Sequence, residues 1–173
     1  MILGRLRAML NRLWSGSIIH PSLAYGKNFK VGNFCVIEKG VVIGDNVEIG
    51  NYVFLKEGTV IGSNVFIDSY VRSSGHNRIS DGVTLRYGST IAKNVVVGEK
   101  AFIAPNVMTI YSTHDGQTSS GTSIGKGAFV GTAAVLGPGV TIGEEVVIGA
   151  MAYVNKDCMD RGVYAGIPAR KIG

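Results

Sequence analysis

Aliphatic side chains recur at every sixth position along most of this chain. Stepping by six from Ile19 to Ile103 meets fifteen positions, and thirteen of them hold Ile, Leu or Val. A second series of six such positions runs from Ile124 to Val154, and glycine follows each of the first five. An α-helix repeats about every 3.6 residues and a simple strand about every 2, so neither alone explains the pattern. A period of six predicts one short strand followed by one turn.

Three such units close a triangular coil of eighteen residues. We predict an all-β parallel β-helix of about seven triangular coils, in which each coil packs its aliphatic residues against the next. The first array covers 19–108 and the second covers 124–159. Glycine, at 25 of 173 residues, supplies tight turns. A parallel sheet alternating with helices would need amphipathic helical stretches, which 19–160 does not contain.

The spacing breaks between the two arrays. Residues 109–123 are rich in Ser, Thr and Gly, contain His114, and show no core pattern. We expect this segment to leave the coil as an extruded polar loop. The remaining residues, 160–173, form the C-terminal tail of a single domain.

The first fourteen residues follow another pattern. Apolar side chains recur there at helical spacing, which predicts an amphipathic helix over 1–14. Two interpretations stay open: the helix caps the first coil or packs at a subunit contact, or it lies on an anionic membrane surface. Because arginines interrupt its apolar residues, it is not typical of a signal peptide, and no apolar run is long enough to span a bilayer. We therefore expect a cytoplasmic protein, or one peripheral at the inner membrane face.

Net charge and cysteine content limit which binding partners and metal ligands the sequence predicts. The formal net charge is +5, but the basic residues are scattered and form no block interleaved with aromatics. We therefore expect no nucleic-acid partner. Cys35 and Cys158 are far apart among apolar neighbours, which favours buried, reduced thiols. Neither has a second soft ligand nearby, so we predict no metal.

These residues resemble the hexapeptide-repeat acyltransferases, in particular the sugar and polysaccharide O-acetyltransferase-like branch. The resemblance rests on the repeat over about 19–159, on the tail Gly166-Ile-Pro-Ala-Arg-Lys171, and on Ile103-Ala-Pro-Asn-Val107 before a His-bearing loop. It implies a left-handed coil, a homotrimer with active sites between neighbouring prisms, and acetyl-CoA as the acyl donor. Nothing in these motifs is specific for an acceptor.

Acyl transfer from a thioester to an alcohol or amine needs a base, because the attacking group loses a proton. A neutral imidazole suits this role near pH 7. Of the three histidines, only His114 lies in the extruded loop, and it matches the catalytic histidine of the family. We predict that His114 is the general base. Its orienting partner stays open between the adjacent Asp115 and a backbone carbonyl, while His20, which precedes Pro21, is expected to be structural.

One hexad, Ser73-Ser-Gly-His-Asn-Arg78, is degenerate, and we expect the core to be locally relaxed there. Position 109, where the loop begins, lies 36 residues or two coils beyond Ser73. We therefore predict that His76, Asn77 and Arg78 recognise the acceptor, with a corner or subunit contact as the alternative.

The resemblance also assigns roles to further positions. Two of them depart from the family pattern, and others match positions that bind the donor. Thr84 falls where the family has an active-site asparagine, and Phe129 where it often has tryptophan, so the acceptor class stays open. The positions that match contacts to the pantetheine and adenine ends of CoA are Thr132, Ala150, Asn155 and Lys156. Arg170 and Lys171 follow the tail motif and are expected near the phosphates.

We therefore predict an acetyl-CoA-dependent acetyltransferase that O-acetylates a sugar or a cell-surface polysaccharide precursor. An N-acetyltransferase of a nucleotide-linked amino sugar is the alternative enzyme, and a noncatalytic β-helix binding or scaffold protein is the alternative of another class. A zinc carbonic anhydrase of the same fold would need two histidines close in sequence. Here the histidines are separated by 56 and 38 residues.

Overall fold

The computed structural model describes residues 16–117 and 121–172, so the predicted helix over 1–14 lies outside the described residues. The described chain is a parallel β-helix of short strands in three sheets. Sheet 1 contains β1 (Ile18–Ile19), β4 (Val36–Ile37), β7 (Phe54–Leu55), β10 (Arg72–Ser73), β13 (Thr90–Ile91), β16 (Met108–Thr109), β19 (Val135–Leu136) and β22 (Tyr153–Val154).

The other two sheets complete the triangle. Sheet 2 contains β2 (Ala24–Tyr25), β5 (Val42–Ile43), β8 (Val60–Ile61), β11 (Arg78–Ile79), β14 (Val96–Val97), β17 (Ser123–Ile124) and β20 (Thr141–Ile142). Sheet 3 contains β3 (Lys30–Val31), β6 (Glu48–Ile49), β9 (Phe66–Ile67), β12 (Thr84–Leu85), β15 (Phe102–Ile103), β18 (Phe129–Val130), β21 (Val147–Ile148), β23 (Val163–Ala165) and β24 (Arg170–Lys171).

The chain visits sheets 1, 2 and 3 in turn, so three corners run along the prism. We call them the 1–2, 2–3 and 3–1 corners after the sheets that they join. Within each sheet, strands one coil apart pair in parallel, and only β24 at the tail is antiparallel to its neighbour. The predicted parallel β-helix is confirmed.

The prism has about eight turns, one more than predicted. One of the three additional positions is Cys158, which forms a parallel bridge with Ile142 of sheet 2. The other two are the strands β16 and β23, whose inward side chains Thr109 and Tyr164 are both buried. A search for aliphatic residues passes over both, because one is polar and the other aromatic.

The core is a set of stacked aliphatic side chains inside the prism. In nearly every strand of the coil the second residue is buried and the first points outward, as in β7 and β15. Burying each such Ile, Leu or Val contributes about 1.5–3 kcal/mol. Tyr25 and Val31 of the first coil are exceptions, since both keep part of their surface exposed.

The expectation of a relaxed core at Ser73 is wrong. Ser73 is buried, and its hydroxyl bonds that of Thr59 at 2.7 Å. The Asn77 amide donates to Ser73 Oγ at 2.8 Å, and Asn77 Oδ1 accepts from the Val95 N–H at 2.8 Å. Buried polar groups are tolerated when they are hydrogen-bonded, so this hexad exchanges aliphatic packing for a closed polar network.

Candidate active site

The extruded loop leaves the coil at the 1–2 corner. Strands along the coil normally start six residues apart, but β16 starts at 108 and β17 at 123. The connection therefore spans 110–122 and holds nine residues more than a regular corner, while the outermost residues of the predicted loop, Thr109 and Ser123, are strand residues. The 21-residue step between Ile103 and Ile124 is thus two regular steps plus this insertion.

Gly121 returns the chain to the coil. Its φ is +110°, and a Cβ there would collide with the backbone carbonyl oxygen of Asn94, one coil away. Only glycine allows this approach without strain. The backbone hydrogen bonding between coils resumes immediately, because the Val96 N–H donates to the Thr122 carbonyl at 3.0 Å. The insertion therefore leaves the coil geometry on both sides unchanged.

Within the loop, a compact turn surrounds the predicted base. The Thr113 N–H donates to the Gln117 carbonyl at 2.9 Å, and the Gly116 N–H to the Thr113 carbonyl at 3.0 Å. The Thr113 hydroxyl also donates to Asp115 Oδ1, and this hydrogen bond holds the pKa of Asp115 below its ordinary value. The Asp115 carboxylate therefore closes the turn and gives the ring of His114 no hydrogen bond. His114 itself is exposed.

All three histidines share the 1–2 corner. His20 follows β1, and its Nδ1 lies 2.8 Å from the Ser22 hydroxyl, which suits the predicted structural role. His76 follows β10, two coils from the loop, or about 10 Å along the prism axis. Its ring packs over Gly58, with only 2.6 Å between Nδ1 and an ideal Cβ at that glycine. The ring of His76 is therefore directed one coil further from His114.

The other predicted acceptor residues are not brought together with His114 in one chain. Asn77 has to be corrected, because its side chain points into the prism and is fully engaged there, so a ligand on the surface cannot contact it. Arg78 is exposed on sheet 2. Thr84 lies on sheet 3, on the opposite side of the prism from the 1–2 corner.

The predicted donor residues fall in three places. Thr132 and Ala150 stack on adjacent coils of the 3–1 corner and are exposed, while Asn155 and Lys156 are exposed at the 1–2 corner. Arg170 lies with Lys171 on β24 at the edge of sheet 3. Small exposed side chains and cations suit an extended, phosphate-bearing ligand. A single chain does not gather them around His114.

Sequence reasoning missed a row of aromatic rings along the 3–1 corner. Phe34 stacks on Tyr52 with ring centroids 5.2 Å apart, Tyr52 stacks on Tyr70 at 4.9 Å, and Tyr87 lies 5.3 Å from Tyr70. We call these four residues the aromatic ladder. An eighteen-residue spacing between Phe34, Tyr52 and Tyr70 was the available signal. A pattern search restricted to inward positions does not register it.

The same turn position holds asparagine at another corner. Asn28, Asn46 and Asn64 form a hydrogen-bonded row along the 2–3 corner, with φ between 55° and 58°. The ladder residues Phe34 and Tyr52 adopt the same left-handed backbone, at 55° and 56°. This region disfavours bulky residues and suits asparagine. The turn geometry therefore does not require rings at the 3–1 corner.

The thiols and the remaining polar groups form no additional reactive centre in the described chain. Cys35 and Cys158 are buried and unpaired, and burial raises the pKa of each thiol. Within 16–117 and 121–172, no three His, Cys, Asp or Glu side chains are placed to hold a metal ion. The same ranges contain no helix with the length and hydrophobicity needed to cross a bilayer.

Residues 26–57 and 121–156 match the family described as bacterial transferase hexapeptide (six repeats). No curated protein matches the chain. The two matched segments resemble this hexapeptide-repeat family, and the described chain has the left-handed parallel β-helix fold of the similar solved structures.

Two solved structures share the fold at low identity, and a third gives a lower TM-score. The UDP-N-acetylglucosamine acyltransferase from Campylobacter jejuni superposes with a TM-score of 0.68 and 17% identity, covering 90% of this chain and 72% of that one. A variant of AntD, an N-acyltransferase from Bacillus cereus in complex with dTDP and coenzyme A, gives 0.52 and 23%, covering 94% and 87%. The acetyltransferase domain of PglB from Neisseria gonorrhoeae gives 0.48 and 20%, covering 97% of this chain and 66% of that one.

Proposed function

We propose that this protein is an acetyl-CoA-dependent acyltransferase that acts on a sugar acceptor, with His114 as the general base. The observation that carries the proposal is the nine-residue insertion, which presents an exposed imidazole at one corner of an otherwise regular coil. The match of two segments of the chain to a transferase repeat family supports it. So do the similar folds of the Campylobacter jejuni acyltransferase and of AntD, which was solved with coenzyme A.

In this proposal His114 moves one proton. Acetyl-CoA, when bound, supplies the acyl group as an activated thioester. The neutral imidazole of His114 accepts the proton that the acceptor hydroxyl loses as its oxygen forms the new bond. It then returns that proton to the leaving sulfur, so the ring ends the cycle neutral. Base catalysis of this kind is worth about 10²–10⁴-fold in rate.

The dispersed donor residues support a homotrimer. Thr132 and Ala150 lie on the 3–1 corner, whereas His114 lies on the 1–2 corner. A second copy that turns its 3–1 corner toward this loop would place both sets around one cleft. Lys156, Arg170 and Lys171 would then hold the phosphates of the donor, since none of them is paired with a carboxylate among residues 16–117 and 121–172.

The acceptor atom distinguishes two forms of this function. We propose O-acetylation of a sugar or polysaccharide precursor in the cytoplasm, with residues 1–14 as the segment for any contact with the membrane face. N-acylation of a nucleotide-linked amino sugar is the second candidate. It is favoured by the fold shared with AntD, which another structure shows with dTDP-4-amino-4,6-dideoxyglucose and coenzyme A.

The test is release of free CoA from acetyl-CoA in the presence of hydroxyl sugars, nucleotide-linked amino sugars or amino acids. We expect His114→Ala to lower kcat by about 10²–10⁴-fold while CoA binding and thermal stability stay unchanged. His20→Ala is the matched control, because it removes another histidine of the same corner five coils away and should leave turnover intact. Turnover retained in His114→Ala would refute the assignment, and CoA binding without turnover on any acceptor would favour a binding protein.

A further inference from the structure

An open groove of about 640 Å³ lies on sheet 1, between β4 and β13. The aromatic rings of Phe34, Tyr52 and Phe54 line one part of it, and Lys56, Arg72 and Ser74 line the other. The groove ends one strand before β16, so it is separate from the loop that carries His114. Its volume falls within the range of about 300–1,000 Å³ that small-molecule sites occupy.

The aromatic part of the groove is supplied by the ladder at the 3–1 corner. Phe34 and Tyr52 are about half exposed, at 55% and 47%, and their left-handed backbone is of the kind that asparagine satisfies at the 2–3 corner. Strained positions persist where the surrounding structure or the function supports them. Exposed rings beside hydroxyl groups offer apolar surface for the C–H face of a sugar and hydrogen-bond partners for its hydroxyls.

The polar part of the groove is cationic and has no carboxylate of its own. Within the described ranges, neither Lys56 nor Arg72 forms an ion pair, although the Lys56 ammonium lies 5.7 Å from the centre of the Phe54 ring. The carboxylates at the flanking corners are engaged elsewhere. Glu38, one coil before Lys56, accepts from the Glu57 N–H at 3.0 Å. Glu57 pairs with Lys39 at 3.3 Å, and Asp68 pairs with Arg86 at 3.2 Å.

We propose that this groove binds an anionic carbohydrate, a sugar whose ring lies against the Tyr52 and Phe54 side and whose negative group meets Lys56 and Arg72. Arginine forms paired hydrogen bonds with either carboxylate or phosphate, so a uronic acid and a sugar phosphate share the required chemistry. The contact between copies proposed above uses the 3–1 corner at Thr132 and Ala150, four and five coils beyond Tyr52. Within the groove itself a second copy is a poorer occupant, because its net charge of +5 opposes two cations that form no ion pair among the described residues. The role of the groove as a holding site for the acceptor rests on the proposed function, whereas the binding of an anionic carbohydrate in the groove does not.

The test measures binding to the full chain by calorimetry, without acetyl-CoA. The probes are a galacturonic acid tetrasaccharide, glucose 1-phosphate, and an uncharged glucose tetrasaccharide. We expect the better anionic probe to bind at least about tenfold more tightly than the neutral one, and the order of the two anionic probes identifies the source of the ligand. Lys56→Gln with Arg72→Gln should remove that preference, and Tyr52→Asn should weaken both anionic probes.

Control variants separate this proposal from the proposed function and from instability. Lys30→Gln, which removes an exposed cation of sheet 3, and His114→Ala should both bind like the unaltered protein. Thermal melting checks that Tyr52→Asn remains folded, and Arg72→Gln alone tests the site without touching the ladder. Equal binding of charged and neutral probes, or no binding, overturns the proposal. A change of molar mass in the variants without a change in binding also overturns it, in favour of an interface between copies.

Discussion

The coil and the inserted loop are held together by different interactions. In the coil, each strand places one aliphatic side chain in a continuous core, and its backbone bonds to the coils on both sides. In the loop, Ile110 still bonds to the Leu136 carbonyl of the coil and Tyr111 packs against the core, but residues 113 to 117 are held by a few local hydrogen bonds around Thr113 and Asp115. The coil therefore accounts for most of the stability of the protein, and the loop carries the side chain of the proposed chemistry. The two should respond independently to mutation.

Excising the loop is the strongest way to test that separation. Deleting residues 112–120 joins Tyr111 to Gly121 and restores a four-residue corner, with glycine where Asn94 makes the left-handed turn one coil away. Shortening the connection changes the free energy of unfolding by about 1 kcal/mol at most. We expect a folded coil, measured by circular dichroism and denaturant unfolding, whose turnover is at least about 10²-fold lower. An excised protein with normal turnover, or one that cannot fold, would contradict the separation.

A core substitution should show the opposite response. Leu85→Ala removes a fully buried side chain from the middle of the coil and should lower the free energy of unfolding by about 2–5 kcal/mol. Below the unfolding transition its kcat should match that of the unaltered protein. Gln117→Ala in the exposed loop is the control for stability and should change it by less than about 0.5 kcal/mol. Equal destabilisation by the two changes would be the contrary result.

The polar network at Ser73 gives a further test of the comparison between coil and loop, because it lies in the coil but is held by hydrogen bonds. Asn77→Ala leaves the Val95 N–H without its partner inside the prism and removes the amide that donates to Ser73 Oγ, which keeps only its bond to Thr59. We expect a loss of about 1–3 kcal/mol in denaturant unfolding. Arg78→Ala, at the exposed neighbouring position, should change stability little. If Asn77→Ala were neutral, the network would be filling space rather than supporting the coil.

The smallest expected effect is the titration of Asp115. Its pKa is lowered in the folded chain by the Thr113 hydroxyl, so the carboxylate stabilises the turn at pH above the unfolded pKa. That contribution is lost as the pH falls through the lower folded value. In an NMR titration, Thr113→Val should shift the Asp115 midpoint upward toward its ordinary range, whereas Ser112→Ala should not. An unchanged midpoint in Thr113→Val would exclude this hydrogen bond as the cause.

Much of the fold could be predicted because the repeat is local. Each aliphatic position reports its own strand, and eighteen residues bring the chain back to the same sheet, so Ser73 and Thr109 fall in one sheet as expected. The site was less predictable. Asn77 looked like a surface residue beside His76 and Arg78, yet it is the one of the three that points inward. Nothing in an isolated hexad shows whether a polar residue before a strand completes the core or faces solvent.

By itself the amino-acid sequence determined the period, the triangular coil and the position of the interruption, because a six-residue unit is satisfied by contacts with its immediate repeats. Only the tertiary structure decided which surfaces meet. It placed three histidines on one corner, the aromatic ladder beside a lysine and an arginine that form no ion pair within 16–117 and 121–172, and Thr84 on the opposite side of the prism from His114. The physical reason is that the number of residues before a position, including the nine inserted ones, decides the corner or sheet on which that position lies. Whether a polar side chain points into the prism depends on whether it finds buried hydrogen-bond partners there.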